Sequence, residues 1–178
     1  MLYSPTLLIA IVAGILLMSG CAATTYDQLV PSVKIDQSNY VGKSISVQPV
    51  TSSDESNRGS MVPNLSKETF REALIESLRR SQMFETVTLA PEGVYKLSAD
   101  IVSEKMTGTF DNTITVLIHY ELEVNGDLTW SDNILSQGEV SVSEVFVGAE
   151  RRRKLQIDAF RHNLATLLEK LSTAIGNK

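Results

Sequence analysis

The chain has 178 residues and a formal net charge of -5, from 21 acidic and 16 basic side chains. This mild acidity argues against a nucleic-acid binder, which carries a basic stripe, and an aromatic content of 6% argues against an aromatic-lined sugar or cofactor cleft. The single cysteine excludes a disulfide within the chain.

The N-terminus has the pattern of an export signal that ends in this cysteine. Residues 7–18 form an uncharged apolar run, and Ser19, Gly20 and Cys21 follow it. The run is shorter than the about 20 apolar residues that span a bilayer, and small residues after such a run are typical of a signal cleavage site. Met18-Ser19-Gly20-Cys21 resembles the lipobox of bacterial lipoproteins, in which the cysteine is acylated with fatty acids such as palmitate and becomes the first residue of the mature protein.

We therefore expect residues 1–20 to be a lipoprotein signal peptide and Cys21 to be the lipidation site. An ordinary signal, or a membrane anchor with an incidental cysteine, stays open, because residues 1–6 contain no Lys or Arg. Ala22 follows the cysteine at the position where enterobacterial lipoproteins retained at the inner membrane have an Asp. The resemblance therefore implies anchoring in the outer membrane, facing the periplasm, with inner-membrane anchoring left open.

A polar linker leads from the cysteine to one predicted domain. Residues 21–42 lack a sustained period, which is typical of a tether, whereas residues 43–178 have the length and patterning of a single folded domain. Its first helix, which Asn64 or Ser66 is placed to cap, is expected to end near residues 81–82 and to bury one face.

A strand at residues 44–50 and a short strand at 84–89 flank this helix. Alternation of apolar and polar residues then predicts an antiparallel meander of three strands, at residues 95–101, 114–124 and 139–143. The expected turns are Asp111-Asn112 and Asn125-Gly126, the second of type I′.

The chain ends in a long amphipathic helix, predicted from Glu150 to Ile175. Its apolar residues fall within about 100° of arc at helical spacing. They are Ile157, Phe160, Leu164, Leu167, Leu168, Leu171 and Ile175. Two amphipathic helices and a sheet with one apolar face predict an α+β domain. We expect a two-layer sandwich whose sheet is mostly antiparallel, formed by the meander and the N-terminal strand, with both helices on one face.

The sequence offers no arrangement typical of a catalytic or metal site. The two histidines, His119 and His162, are 43 positions apart on faces predicted to be polar, and no second thiol is present for zinc. There is no Gly-rich phosphate loop and no nucleophile elbow. We therefore expect no enzyme activity, no cofactor and no bound metal.

The open face of the meander is the first candidate binding surface. It is expected to collect six titratable side chains, which are Asp100, Glu104, His119, Glu121, Glu123 and Glu139. Such a face is either the solvated side of a half-buried sheet or a docking face for a partner protein.

The second candidate is a basic run at the start of the last helix, made of Arg151, Arg152, Arg153 and Lys154. Positive charge is disfavoured at a helix N-terminus. The run is therefore either a solvated cap or a contact for anions such as phospholipid headgroups.

The order of these elements behind a lipobox resembles several families of bacterial outer-membrane lipoproteins. The segments that carry the likeness are residues 45–49, residues 78–84 and the Arg-rich helix that contains residues 167–171. The families are the lipopolysaccharide-assembly lipoproteins, the Pel-type polysaccharide-secretion lipoproteins and the lipoprotein activators of peptidoglycan synthases, and the likeness singles out none of them. It implies a fold like the N-terminal domain of the Tol-system propeller protein.

These features favour a lipid-anchored accessory or assembly factor for a cell-envelope complex, for example one that exports lipid or polysaccharide. Its expected contacts are the membrane, through acylated Cys21, and an envelope protein, with no nucleic acid. The alternative is a periplasmic module that binds a small ligand or anionic lipid through residues 151–154.

Overall fold

The computed structural model describes residues 24–35, 40–53, 65–91, 93–108, 113–140 and 148–176. These residues form six strands and two α-helices, preceded by one turn of 3-10 helix at Tyr26–Gln28. In chain order they are β1 (Ser44–Val47), β2 (Thr51–Ser52), α1 (Lys67–Ser81), β3 (Thr86–Thr88), β4 (Tyr95–Thr107), β5 (Thr113–Val124), β6 (Asp127–Gly138) and α2 (Gly148–Gly176).

The strands form one mixed sheet in the order β3-β1-β4-β5-β6, and β2 pairs with β4. β4, β5 and β6 are antiparallel neighbours. The expectation of a mostly antiparallel sheet is wrong, because β1 runs parallel to both β3 and β4, and β2 runs parallel to β4. A helix between β1 and β3 carries the chain back to the same end of the sheet, so the two strands run in one direction. The α+β class is confirmed.

The third strand of the meander lies earlier than predicted. Asn125 (φ 55°) and Gly126 (φ 92°) form the expected tight turn, and β6 begins directly after it at Asp127. The predicted strand at 139–143 is wrong for residues 139 and 140, because β6 ends at Gly138. Residues 141–143 lie outside the described part of the chain. The inward positions of β6 are not uniformly apolar, so the alternation of apolar and polar residues does not predict this strand. They are Trp130, Asp132, Ile134, Ser136 and Gly138.

α1 has the boundaries that its sequence predicts. The Ser66 hydroxyl accepts a hydrogen bond from the backbone amide of Thr69 at 3.0 Å and so caps the first turn. At the other end, Gln82 adopts a left-handed conformation (φ 55°), and its amide donates to the Arg79 carbonyl. The predicted apolar face of the helix is buried.

Both helices share one core with the sheet. The ring of Phe70 on α1 contacts that of Phe160 on α2, with centroids 5.4 Å apart, and the inward side chains of β1, β4 and β5 join the same cluster. α2 approaches β6 closely at Gly138, where an added Cβ would lie 1.9 Å from the Leu155 carbonyl oxygen. Gly138 is therefore a residue that lets the helix and strand pack closely.

A polar network crosses this core between α2 and the meander. The Tyr120 hydroxyl donates to Asn163 Oδ1 at 2.7 Å, and Asn163 Nδ2 donates to the Ile134 carbonyl and to Ser136 Oγ at 2.8 and 3.1 Å. Ser136 in turn donates to the Val116 carbonyl. Burial raises the pKa of the Tyr120 phenol well above its usual value. Because its members bond to one another, the network fixes the position of α2 over β5 and β6.

Part of the segment expected to be a tether packs on the domain. Leu29 is fully buried and Val30 is 7% exposed, and both join the hydrophobic core. The 3-10 turn contacts α1, and Arg161 of α2 donates to the Gln28 carbonyl at 3.1 Å from Nε and 2.6 Å from Nη2. The packed part of the chain therefore begins before the expected boundary at residue 43.

Candidate functional site

The predicted lipidation site, Cys21, lies outside the described residues together with the signal peptide 1–20, so both stay predictions. The structure does show where the following chain arrives, since the turn at Tyr26–Gln28 packs against the helices. Within the described part of the chain, no helix is long and apolar enough to cross a membrane.

The basic run at residues 151–154 occupies the first turns of α2. Its four side chains are half-buried rather than fully exposed, and the Nε atoms of Arg151 and Arg152 are shielded from solvent. Shortly after the run, Gln156 Nε2 donates to Glu104 Oε1 on β4 at 2.7 Å. The run therefore lies along the protein surface, and its contact with anions stays a prediction.

The open face of the sheet carries a row of polar side chains across three strands. Asp100 on β4, His119 on β5 and Asn133 on β6 are direct neighbours. The imidazole of His119 lies 3.0 Å from Asn133 Oδ1 through Nδ1 and 3.2 Å from Glu121 Oε1 through Nε2. Both ring nitrogens thus lie within hydrogen-bonding distance of a polar side chain, so His119 is part of a polar surface network.

The carboxylate of Asp100 has partners of its own. It accepts hydrogen bonds from the hydroxyls of Thr51 and Ser53, both at 2.6 Å. These hydroxyls bond to a carboxylate rather than to the imidazole of His119. In the described ranges, no group of three or more His, Cys, Asp and Glu residues is arranged to hold a metal ion.

Of the residues expected on the open face, Glu104 lies on the opposite side of the sheet and Glu139 lies beyond the end of β6. A β-bulge after Ile101 shifts the register of β4 against β5, so Glu104 lies opposite the buried Val116 on the side of the helices. Glu139 follows the end of β6, and its backbone amide donates to Asp158 Oδ2 on α2 at 2.9 Å. An extra residue in a strand reverses the alternation beyond it, which a strict period of two does not predict.

The open face also carries apolar side chains that the sequence reasoning missed. Leu117 on β5 lies opposite Leu135 on β6, and Leu135 is 67% exposed. Leu128, near the start of β6, lies opposite Glu123 and is 59% exposed. The sequence signal that identifies Leu128 and Leu135 is the Asn-Gly turn, because a strand that begins directly after this turn includes both residues.

A groove lies between β6 and the C-terminal part of α2. Its lining residues are Trp130, Glu169, Lys170, Thr173 and Ala174. Lys170 Nζ lies 2.5 Å from Asp132 Oδ2, and this hydrogen bond lowers the pKa of the Asp132 carboxyl below its usual value. The pair is partly exposed to solvent and contributes little to stability. The groove therefore combines an apolar wall with a solvated ion pair.

Comparison with known proteins shows the fold of the domain. No protein-family model and no curated protein matches the chain. Among solved structures, the hypothetical protein CT253 of Chlamydia trachomatis matches with a TM-score of 0.58 and 9% identity, over 78% of this chain and 100% of its own. Protein XCC0632 of Xanthomonas campestris, of DUF330, matches with a TM-score of 0.55 and 13% identity, over 84% of this chain and 91% of its own.

A PelC dodecamer from Paraburkholderia phytofirmans matches with a lower TM-score of 0.47 and 15% identity, over 75% of this chain and 91% of its own. Structures named as lipoproteins match with lower TM-scores still. Scores in this range carry no argument about the chain, so its assignment as a lipoprotein and its likeness to the Tol-system propeller protein stay predictions. The domain thus shares the fold of CT253 and XCC0632, and its family stays open.

Proposed function

We propose that this chain is a lipid-anchored envelope lipoprotein, a non-enzymatic accessory or assembly factor of a cell-envelope complex, for example one that exports lipid or polysaccharide. The observation that carries the proposal is the export signal, in which the apolar run at residues 7–18 is followed by Ser19, Gly20 and Cys21, the only thiol in the chain. A free thiol is unusual in an exported protein, and acylation accounts for it. The anchor would hold the domain at the periplasmic face of the outer membrane.

The open sheet face supports a role in contacting another protein. Leu117, Leu128 and Leu135 form its apolar part, and Glu121 and Glu123 lie on β5 among them. Exposed apolar residues rimmed by polar groups are typical of interaction surfaces. The partner, an envelope protein, should present an apolar surface with a basic rim, because charges complement each other across interfaces.

The anchor is tested by replacing Cys21 with alanine in the full-length chain. Cys21→Ala should abolish labelling by a palmitate analogue and release the protein from membranes, because the acylated sulfur is lost. Ala22→Ser, which keeps the thiol, is the matched control and should label normally. Full labelling of Cys21→Ala would contradict the proposal.

The partner is tested by placing a photo-crosslinking residue at Leu135 in intact cells. It should capture one envelope protein, identified by mass spectrometry, and Leu135→Asp should weaken that association at least about tenfold, a loss of about 1.4 kcal/mol. Thr173→Asp adds the same charge to an exposed position of α2 and should leave the association unchanged. Equal co-purification with the two variants would exclude the sheet face as the interface.

A second function, favoured by the basic run at residues 151–154, is binding of a small anion or anionic lipid. Arg151→Glu with Arg152→Glu, in the non-lipidated Cys21→Ala chain, should then weaken flotation with acidic vesicles. Flotation without these substitutions should also fall as salt rises, because exposed charges are screened beyond about 10 Å at 0.1 M salt. Lys105→Glu, on an exposed part of β4, is the control. Equal flotation of all variants would exclude this function.

A further inference from the structure

The point at which the chain enters the domain is held rigidly. Leu29, next to the 3-10 turn, is fully buried, and the Gln28 carbonyl accepts two hydrogen bonds from Arg161 of α2. The same turn contacts α1. The first described residues therefore arrive at the helices, on the side of the domain opposite the open sheet face.

The distance from the predicted anchor to this entry point is short. A chain spans at most about 3.6 Å per residue, so the five steps from Cys21 to Tyr26 reach no further than about 18 Å, whatever their conformation. Tyr26 itself is 41% exposed, and tyrosine is enriched at the membrane–water interface. A lipid on Cys21 would thus hold the helical side of the domain near the bilayer.

The formal charges of the domain are divided between its two layers. The two helices carry ten basic and six acidic residues, a net charge of +4. The strands carry two basic and six acidic residues, a net charge of -4 with His119 counted as neutral. The helices are therefore electropositive relative to the strands, although two strand carboxylates, Glu104 and Asp132, bond to Gln156 and Lys170 of α2.

Two of the helix cations, Arg161 at the entry point and Arg71 on α1, keep their charge while they bond to backbone carbonyls. Arg161 donates to the Gln28 carbonyl, and Arg71 of α1 donates to the carbonyls of Val47 and Gln48 at 2.6 and 3.1 Å. Carbonyl oxygens are neutral, so these hydrogen bonds fix the guanidinium groups without cancelling their charge. Lys154 lies two helical turns before Arg161 and thus on the same side of α2.

We infer that the helical layer of the domain lies against an anionic phospholipid bilayer and that the open sheet face points away from it. The inference rests on the proposed lipid anchor at Cys21 and deepens it. The short connection supplies the proximity, and the net positive charge of α1 and α2 attracts the anionic headgroups. The exposed leucines of the sheet face are then turned toward the aqueous compartment, where a protein partner can reach them.

The test compares two labelled positions in the full-length lipidated chain. Glu72→Cys lies on the exposed side of α1 and Ser131→Cys on the exposed sheet face. Each variant carries a donor dye and is bound to vesicles of phosphatidylglycerol and phosphatidylethanolamine that contain an acceptor lipid. The two faces are about 20 Å apart, so energy transfer should be several-fold stronger from Glu72→Cys. Equal transfer from the two positions, or the reverse order, would overturn the inference.

The role of the short connection and the role of charge are tested separately. Inserting about 15 Gly and Ser residues before Thr24 adds roughly 20 Å of average reach. The energy-transfer efficiencies from Glu72→Cys and Ser131→Cys should then become similar. Lys154→Gln should reduce the ratio of the energy-transfer efficiency from Glu72→Cys to that from Ser131→Cys on acidic vesicles. Lys105→Gln on β4 should leave this ratio unchanged. A ratio unchanged by both the insertion and Lys154→Gln would overturn the inference.

Failure of the anchor gives a different result from failure of the orientation. The sulfur of an acylated Cys21 does not react with a thiol dye, so the lipidated chain without an added cysteine should remain unlabelled. If that chain takes up dye and does not bind neutral vesicles, the proposed lipoprotein function is overturned. If it is unlabelled and bound, but the two positions transfer equally, only the orientation is overturned.

Discussion

At the scale of single residues, the buried phenol of Tyr120 gives the domain a pH dependence. Burial raises its pKa, so the folded state disfavours the phenolate that the unfolded chain forms above about pH 10. This stabilising contribution is complete below that pH and is lost as the pH rises further. The absorbance difference between wild type and Tyr120→Phe should show phenolate formation only when the domain unfolds. Titration of this phenol in the folded domain would contradict the burial.

Gly138 is a second residue on which the packing depends, because α2 leaves no room for a side chain at this position. Gly138→Ala would place a Cβ 1.9 Å from the Leu155 carbonyl oxygen, so the helix must shift away from β6. Overpacking of this kind destabilises by about 1–3 kcal/mol, which thermal denaturation would detect. Gly148→Ala is the control, since an added Cβ there meets nothing within 4 Å. Equal melting temperatures would show that α2 is less closely held.

At the scale of elements, α2 supplies a long apolar stripe to the core. Leu168 is 2% exposed, whereas Glu169 is exposed. Leu168→Asp would bury an unpaired carboxylate and should destabilise by several kcal/mol, enough to unfold a domain of ordinary stability. Glu169→Ala, one position further along, should change stability by less than about 0.5 kcal/mol. Similar denaturation midpoints for the two variants would show that the helix is rotated about its axis.

The sequence predicts correctly those elements whose signal lies within a few neighbouring residues. The cap at Ser66 and the Asn125-Gly126 turn are local signals, and the structure has both. The parallel pairing of β1 is not local, since its partners come after α1. The open face differs from the expected one for a related reason, because the bulge after Ile101 turns Glu104 to the other side of the sheet. A period of two contains no information about where an extra residue will be accommodated.

At the scale of the whole molecule, the N-terminal segment is fastened to the domain chiefly by Leu29 and Arg161. Arg161→Ala removes both hydrogen bonds to the Gln28 carbonyl and should accelerate amide hydrogen exchange at residues 26–30, with little change elsewhere. Arg80→Ala removes an exposed pair with Glu76 and serves as the control. Exchange rates unchanged in Arg161→Ala would show that burial of Leu29 alone holds the segment.

The position of β1 inside the sheet, between β3 and β4, has a consequence for the order in which the chain folds. Ser44 pairs with Thr86 and Ile45 pairs with Tyr95, so β1 finds its neighbours only after about 40 to 50 further residues have been made. β5 and β6, by contrast, are joined by a two-residue turn and can pair at once. Local pairings form quickly, while distant ones wait for the loss of chain entropy to be offset. We therefore expect the hairpin to serve as the template on which β4 and then β1 assemble. The strand that is synthesised first is therefore expected to be among the last to join the sheet.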